Sequence, residues 1–111
     1  MTIRYKSTTF DLTNTNVTDV LSCPADATII IKSVQASHKS ASNVDVDLYL
    51  QKSGGSAVEI SHAQLNKNFG NMITSSLNME ANDILKIEAG SANTITGVVS
   101  YALIDRSQEN G

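Results

Sequence analysis

From Asn43 to Gln51 the side chains alternate without a break. Val44, Val46, Leu48 and Leu50 share one parity, Asp45, Asp47 and Tyr49 the other. Successive side chains of an extended strand point to opposite faces, so the run has one apolar face and one wet face. Wound into a helix, the same residues would be spread around its whole circumference. The segment therefore commits the chain to a sheet with a core packed against one side.

Period two recurs elsewhere, and no stretch carries a long apolar stripe of helical spacing. Eighteen Ile and Val residues against ten Ala favour sheet as well. A first strand is expected over Ile3 to Phe10, with Ile3 and Tyr5 opposed to Arg4 and Lys6. A second covers Val17 to Cys23 and is ended by Pro24-Ala25-Asp26, because proline cannot serve a central ladder. In Thr28 to His38 the phase slips: Ile29 and Ile31 have one parity, Val34 and Ala36 the other. A bulge near Lys32 and Ser33 reconciles them.

Lys39 to Asn43 reads as a tight turn into the Val44 strand. Lys52-Ser53-Gly54-Gly55-Ser56 reads as a hairpin loop into Ala57 to Ser61, its glycines supplying positive φ. His62 to Gly70 is the irregular stretch, with room for a short helical turn. Met72 to Met79 is one strand, Glu80-Ala81-Asn82-Asp83 a turn, Ile84 to Ala89 a strand, Gly90 to Asn93 a turn and Thr94 to Asp105 the last strand. The middle, Val44 through Ala89, suits a meander. About eight short strands at this spacing imply an all-β fold, an antiparallel sandwich or jelly roll. Which strand order is adopted stays open, since crossovers leave no mark on a sequence.

One domain over residues 1–111 is expected from the length, with residues 1–11 as a possible N-terminal arm and 106–111 as a flexible tail. Charged residues make up only 17% of the chain. Its polarity comes from 14 Ser, 10 Thr and 10 Asn. Such side chains suit solvent-facing strands and also surfaces that pack on other protein, because they are cheaper to desolvate than Lys or Glu. The net charge of −3 and the scatter of eight basic residues from Arg4 to Arg106 argue against nucleic acid as partner. MTIRYKSTTFDLT has no apolar core of a secretory leader, and no run approaches the length that spans a bilayer; a soluble protein with no membrane partner is expected.

No catalytic, cofactor or metal site is expected. A single cysteine, Cys23, excludes an intramolecular disulfide; next to Pro24 and after an apolar strand it reads as a small buried hydrophobe. His38 and His62 each fall at an expected strand end, where a solvated histidine is ordinary. Asp45 and Asp47 share the outer face of one strand about 7 Å apart, a pair of the kind that holds Ca²⁺ with loop carbonyls or does acid–base work, but on a strand they cannot converge as in a calcium loop, and no calcium-loop pattern surrounds them. The simpler reading is a negative face that discourages aggregation, partnered by Lys32, Lys52 or a neighbouring subunit. There is no nucleophile elbow, and Gly54-Gly55 lacks the lysine and helix of a phosphate loop. Ile3, Tyr5, Phe10, Tyr49 and Phe69 are the candidate subunit contacts. Tyr49, beside the two aspartates, keeps a carbohydrate- or receptor-binding module open as an alternative.

The order of the pieces carries a resemblance. Val17 to Cys23, then Pro24-Ala25-Asp26-Ala27-Thr28, leads into TIIIKSVQASHKSASNVDVDLYL, and LNMEANDILKIEAGSANTITGVVSYALID follows later. This resembles small tailed-bacteriophage virion proteins that open on a VPAGTTAIVKSI-type strand and VxVxL. Their close is matched by Leu77, Met79, Asn82-Asp83, Leu85, Ile87, Ala89 and Ser100-Tyr101, over roughly residues 16–105. Cys23 replaces the usual Val, His38 a common Asn, and Asn82 the turn glycine.

The resemblance implies a non-enzymatic β-sandwich made in the host cytoplasm and built into the virion. Its partners would be the major capsid protein or other virion proteins. Head decoration as a homo-oligomer, a trimer for preference, is the leading expectation, and a neck, tail or baseplate part the alternative.

Overall fold

The structure, a computed structural model, describes residues 2–39, 43–65, 70–74 and 76–106. These residues form nine strands: β1 Thr2–Leu12, β2 Thr18–Ser22, β3 Ala27–His38, β4 Val44–Gln51, β5 Ala57–Leu65, β6 Gly70–Thr74, β7 Leu77–Met79, β8 Ile84–Ala89 and β9 Ile95–Asp105. One sheet, A, runs β1-β9-β3-β6, with β7 pairing β3; the other, B, runs β2-β8-β4-β5. Every hydrogen-bonded pair is antiparallel. Because β6 and β7 pair successive halves of β3, each sheet is four strands wide. The order is that of a jelly roll, in which nearly every connection crosses between sheets. The meander expected over Val44 to Ala89 is therefore replaced. Only β4–β5 is a hairpin, and the chain crosses from sheet B to sheet A at β6 and back at β8.

The core lies between the two inner faces. Sheet A supplies Leu12, Ile29, Ile31, Val34, Met79, Ile95 and Val99; sheet B supplies Val46, Leu48, Leu65, Leu85 and Ile87. Each follows from parity. The change of parity in β3 is absorbed where Ile31 faces Tyr101 and Ser33 faces Ser100, so Lys32 is bulged outward and both halves of the strand stay apolar inward. Phe10, Gly97 and Ala36 form one row across sheet A. A Cβ on Gly97 would stand 2.3 Å from Phe10 Cζ and 2.2 Å from the Gln35 carbonyl oxygen. The ring fills the space the glycine leaves, which buries Phe10 and removes it from the candidate contacts.

Other expectations are corrected. His62 to Leu65 is not irregular: it continues β5, paired with Asp47 to Val44. Met72 to Met79 is divided between β6 and β7. His38 is buried opposite Ile95 rather than solvated. Within the segment expected as an arm, Thr2 to Asp11 belong to β1, an edge strand of sheet A that pairs with β9 from Thr2–Asp105 to Leu12–Ile95. The expected turn over residues 39–43 and the tail over 106–111 lie largely outside the described residues. Cys23 is buried as expected, its Sγ 3.4 Å from the Ala27 carbonyl oxygen, and burial raises its thiol pKa.

The β7–β8 turn is fastened by a buried carboxylate. Asp83 accepts hydrogen bonds from the backbone N–H of Glu80 (2.8 Å) and Ser53 (3.1 Å) and is ion-paired with Lys52. The same turn bonds the end of β2 twice, Cys23 N–H to the Asp83 carbonyl and Asn82 N–H to the Cys23 carbonyl. Asn82 has φ of 67°, a left-handed conformation that Asn tolerates best after glycine, so it serves where the resembling proteins carry glycine. Burial alone would raise the Asp83 pKa. The Lys52 ammonium and the two amides outweigh it and hold the carboxyl below its ordinary value.

Candidate functional site

The polar chemistry gathers on the outer face of sheet B. Pairing of β5, β4 and β8 sets His62, Asp47 and Glu88 in one row and Glu59, Tyr49 and Lys86 in the next. Glu59 and His62 are three residues apart and would point to opposite faces of a regular strand. Leu48 faces Ser61 while Tyr49 faces Glu59, so Ile60 is bulged and both polar residues come to the outer side beside Asp47.

His62 Nδ1 is ion-paired with Asp47, which raises the imidazole pKa through that contact. The carboxyl of Glu59, hydrogen-bonded to Asp47, has its pKa raised by that contact and by burial. Tyr49 donates its hydroxyl to Glu88 Oε1 at 2.8 Å, and this bond to a carboxylate pushes its pKa up to about 12. Gln64 reaches Asp45 at 3.4 Å, and Lys86 is spent on Asp19 at 3.3 Å.

Asp47, Glu59 and His62 bring one ring nitrogen and two carboxylate oxygens within 4.8 Å of one another, a set of donors able to hold a metal ion. The His62–Asp47 ion pair accounts for the arrangement without one. Its chemistry is concentrated negative charge on a flat surface.

The outer face of sheet A is different. Pairing sets Ile3 beside Ile104 and Thr28, and Tyr5 beside Ala102 and Ile30. Ile3 is 49% and Tyr5 75% exposed. Lys32, displaced by its bulge, lies over the Tyr5 ring at 5.1 Å from the centroid, a cation–π contact. Arg106 Nη1 donates to Thr28 Oγ1 at 3.4 Å on the same end, and Arg4 and Lys6 are exposed on β1.

The candidate contacts thus divide. Ile3 and Tyr5 lie together at one end of sheet A, Tyr49 is on sheet B among acids, and Phe10 is in the core. Phe69 lies outside the described residues. Val58 and Ile60, exposed on the edge strand β5, were not anticipated. Their alternation with Glu59 is the signal, and the short apolar run hid it.

No family model matches the chain, and no curated protein matches it. Solved structures do. The chain is similar to one in the acid-stable capsid structure of the Helicobacter pylori bacteriophage KHP30, at 13% identity and TM-score 0.59, over 96% of this chain and 90% of that one. It is similar to a chain of the disulfide-linked pili formed by Bacillus endospore appendages, at 12% identity and TM-score 0.55, over 95% and 88%. It also matches, at 10% identity and TM-score 0.55, 95% of its length onto 32% of a chain of infectious bursal disease virus, Gx strain. At such identities the shared property is the fold.

Proposed function

We propose that this chain is a non-enzymatic virion structural protein of a tailed bacteriophage, a decoration or cement protein that binds the assembled head at high copy. The observation that carries the reading is the match to the KHP30 capsid chain, which spans nearly all of both chains. That chain is of almost this size, and a domain so small suits a component added to a shell. The low charge and the Ser/Thr/Asn-rich surface agree with burial against other subunits. Ile3 and Tyr5, exposed at one end of sheet A, are the candidate contacts with a neighbouring subunit, and losing them weakens head binding through lost avidity. Its mechanism is avidity: many modest contacts, each spanning neighbouring capsid subunits, oppose the pressure of packaged DNA.

A neck, tail or baseplate part of the same particle is the second reading, favoured by nothing in the geometry over the first and separated from it by copy number. The likeness to a disulfide-linked pilus chain does not extend to its chemistry. Cys23 is the only cysteine and is 3% exposed, so no disulfide can join neighbours without opening the core.

The test is to add purified protein to heads assembled without it and to measure co-sedimentation. Saturable binding that weakens at least tenfold on replacing Ile3 and Tyr5 with Ser is expected. Heads that sediment without it would contradict the reading.

A further inference from the structure

The two outer faces are complementary to each other, and in one molecule they point in opposite directions. The exposed end of sheet A offers Ile3, Tyr5 and Ile30 with Lys32 and Arg106. Sheet B offers Asp45, Asp47, Glu59 and Glu88 on its outer face. Its one lysine, Lys86, is paired with Asp19. We propose that copies of this chain join head to tail, the apolar, basic end of sheet A on one copy seating on the acidic outer face of sheet B on the next. This deepens the structural-subunit reading and rests on it.

Charge decides the occupant and the symmetry of the contact. Two copies meeting through sheet A would set Lys32 and Arg106 against their own counterparts, and two meeting through sheet B would set carboxylates against carboxylates. Like charges in a desolvated contact are costly, so neither two-fold arrangement is favoured. Sheet A against sheet B matches sign to sign. The arrangement is heterologous, and such contacts close into a ring or continue as a filament according to the rotation between copies. A trimeric ring is one closed form.

The faces are large enough. The molecule measures 54 × 27 × 19 Å, and half of one broad face covers about 700 Å². A stable interface takes about 800 Å² from each partner. The contact is electrostatic at its rim, so it weakens as salt shortens the screening length.

The test uses two charge-reversed variants of the full chain, Lys32→Glu with Arg106→Glu, and Asp45→Lys with Glu59→Lys. All four positions are solvent-facing, and circular dichroism establishes that each variant is folded. Solution mass is measured by light scattering against concentration and salt. Wild type is expected to self-associate, and each variant alone to associate at least tenfold more weakly. An equimolar mixture should recover association, because the first variant keeps an intact sheet B face and the second an intact sheet A end. The mixture also shows that each chain retains its fold. Wild type that stays monomeric at every concentration overturns the proposal, as does association that neither variant weakens or that mixing fails to restore. Copies that associate as described but ignore phage heads would remove the decoration reading and leave this contact standing.

Discussion

Two carboxylate sites in this protein show what burial does to the same chemical group. Asp83, 1% exposed, is surrounded by donors that the fold supplies, the Lys52 ammonium and the amides of Glu80 and Ser53, and its pKa is lowered. Asp47 and Glu59 stand on an open face with each other and His62 as neighbours, and there the pKa values of Glu59 and His62 are raised. The first site converts a charge into rigidity: it ties the β7–β8 turn to the start of the β4–β5 hairpin. The second holds charge that the fold does not need, at a surface where a partner of opposite sign can use it. A carboxylate with donors on all sides is structural, and a crowded, exposed one is available.

The largest effect that separates them is on stability. Replacing Asp83 with Ala strands two amide donors and frees Lys52, and a loss of about 2–4 kcal/mol is expected in denaturant unfolding. Replacing Asp47 with Ala should change stability by less than about 0.5 kcal/mol, as exposed pairs do. Equal losses would break the comparison.

Acid sharpens it. The folded-state pKa of Asp83 is below its unfolded value, so its contribution is complete above about pH 4 and is lost as pH falls through the folded value. Unfolding measured from pH 5 downward should show a steep limb in wild type that is flattened in Asp83→Asn.

The exposed cluster runs the other way. His62 and Glu59 both have raised folded-state values, so each binds its proton more tightly in the folded protein. The His62 contribution is complete below about pH 6.5 and is lost as pH rises through the raised value. That of Glu59 is complete below about pH 4.3 and disappears over the range above it. A shallow decline in stability with rising pH near neutrality, absent in His62→Gln, is expected. A decline that persists in that variant would remove the ion pair as its cause.

The smallest effect concerns Tyr49. Ultraviolet titration of wild type should show one phenol ionising near pH 12, a component missing from Tyr49→Phe. The fold of that variant should be unchanged to within about 0.5 kcal/mol, because an exposed bond to Glu88 is exchanged for water.

How far these features can be read from residue order depends on whether they are local. The Val44–Gln51 alternation and the bulge at Lys32 are local, since a parity change in one strand is visible in that strand. The Glu80–Asp83 turn is local too. The continuation of β5 through Leu65 is not. His62-Ala63-Gln64-Leu65 has a weak alternation, and the strand is held by pairing with Val44 to Asp47. Two of the three donors to Asp83, Lys52 and the Ser53 amide, arrive from a hairpin some thirty residues away in sequence, so little at position 83 announces a buried carboxylate. His38 is buried because β9 lies across it. Likewise Asp47, Glu59 and His62 meet only through the β4–β5 register and the Ile60 bulge. The jelly-roll order itself is a property of crossovers, and residue order carries no trace of them.

The central claim, a structural protein of the virion head, is tested most directly by counting. On the proposed reading, purified virions from cells that make the chain are dissociated and the molar ratio of this protein to the major capsid protein is measured by quantitative mass spectrometry. A ratio comparable to that of the shell subunit, the same from particle batch to particle batch, is the expected result. A count matching a single ring would place the protein on the neck or tail, and its absence from purified particles would contradict the account.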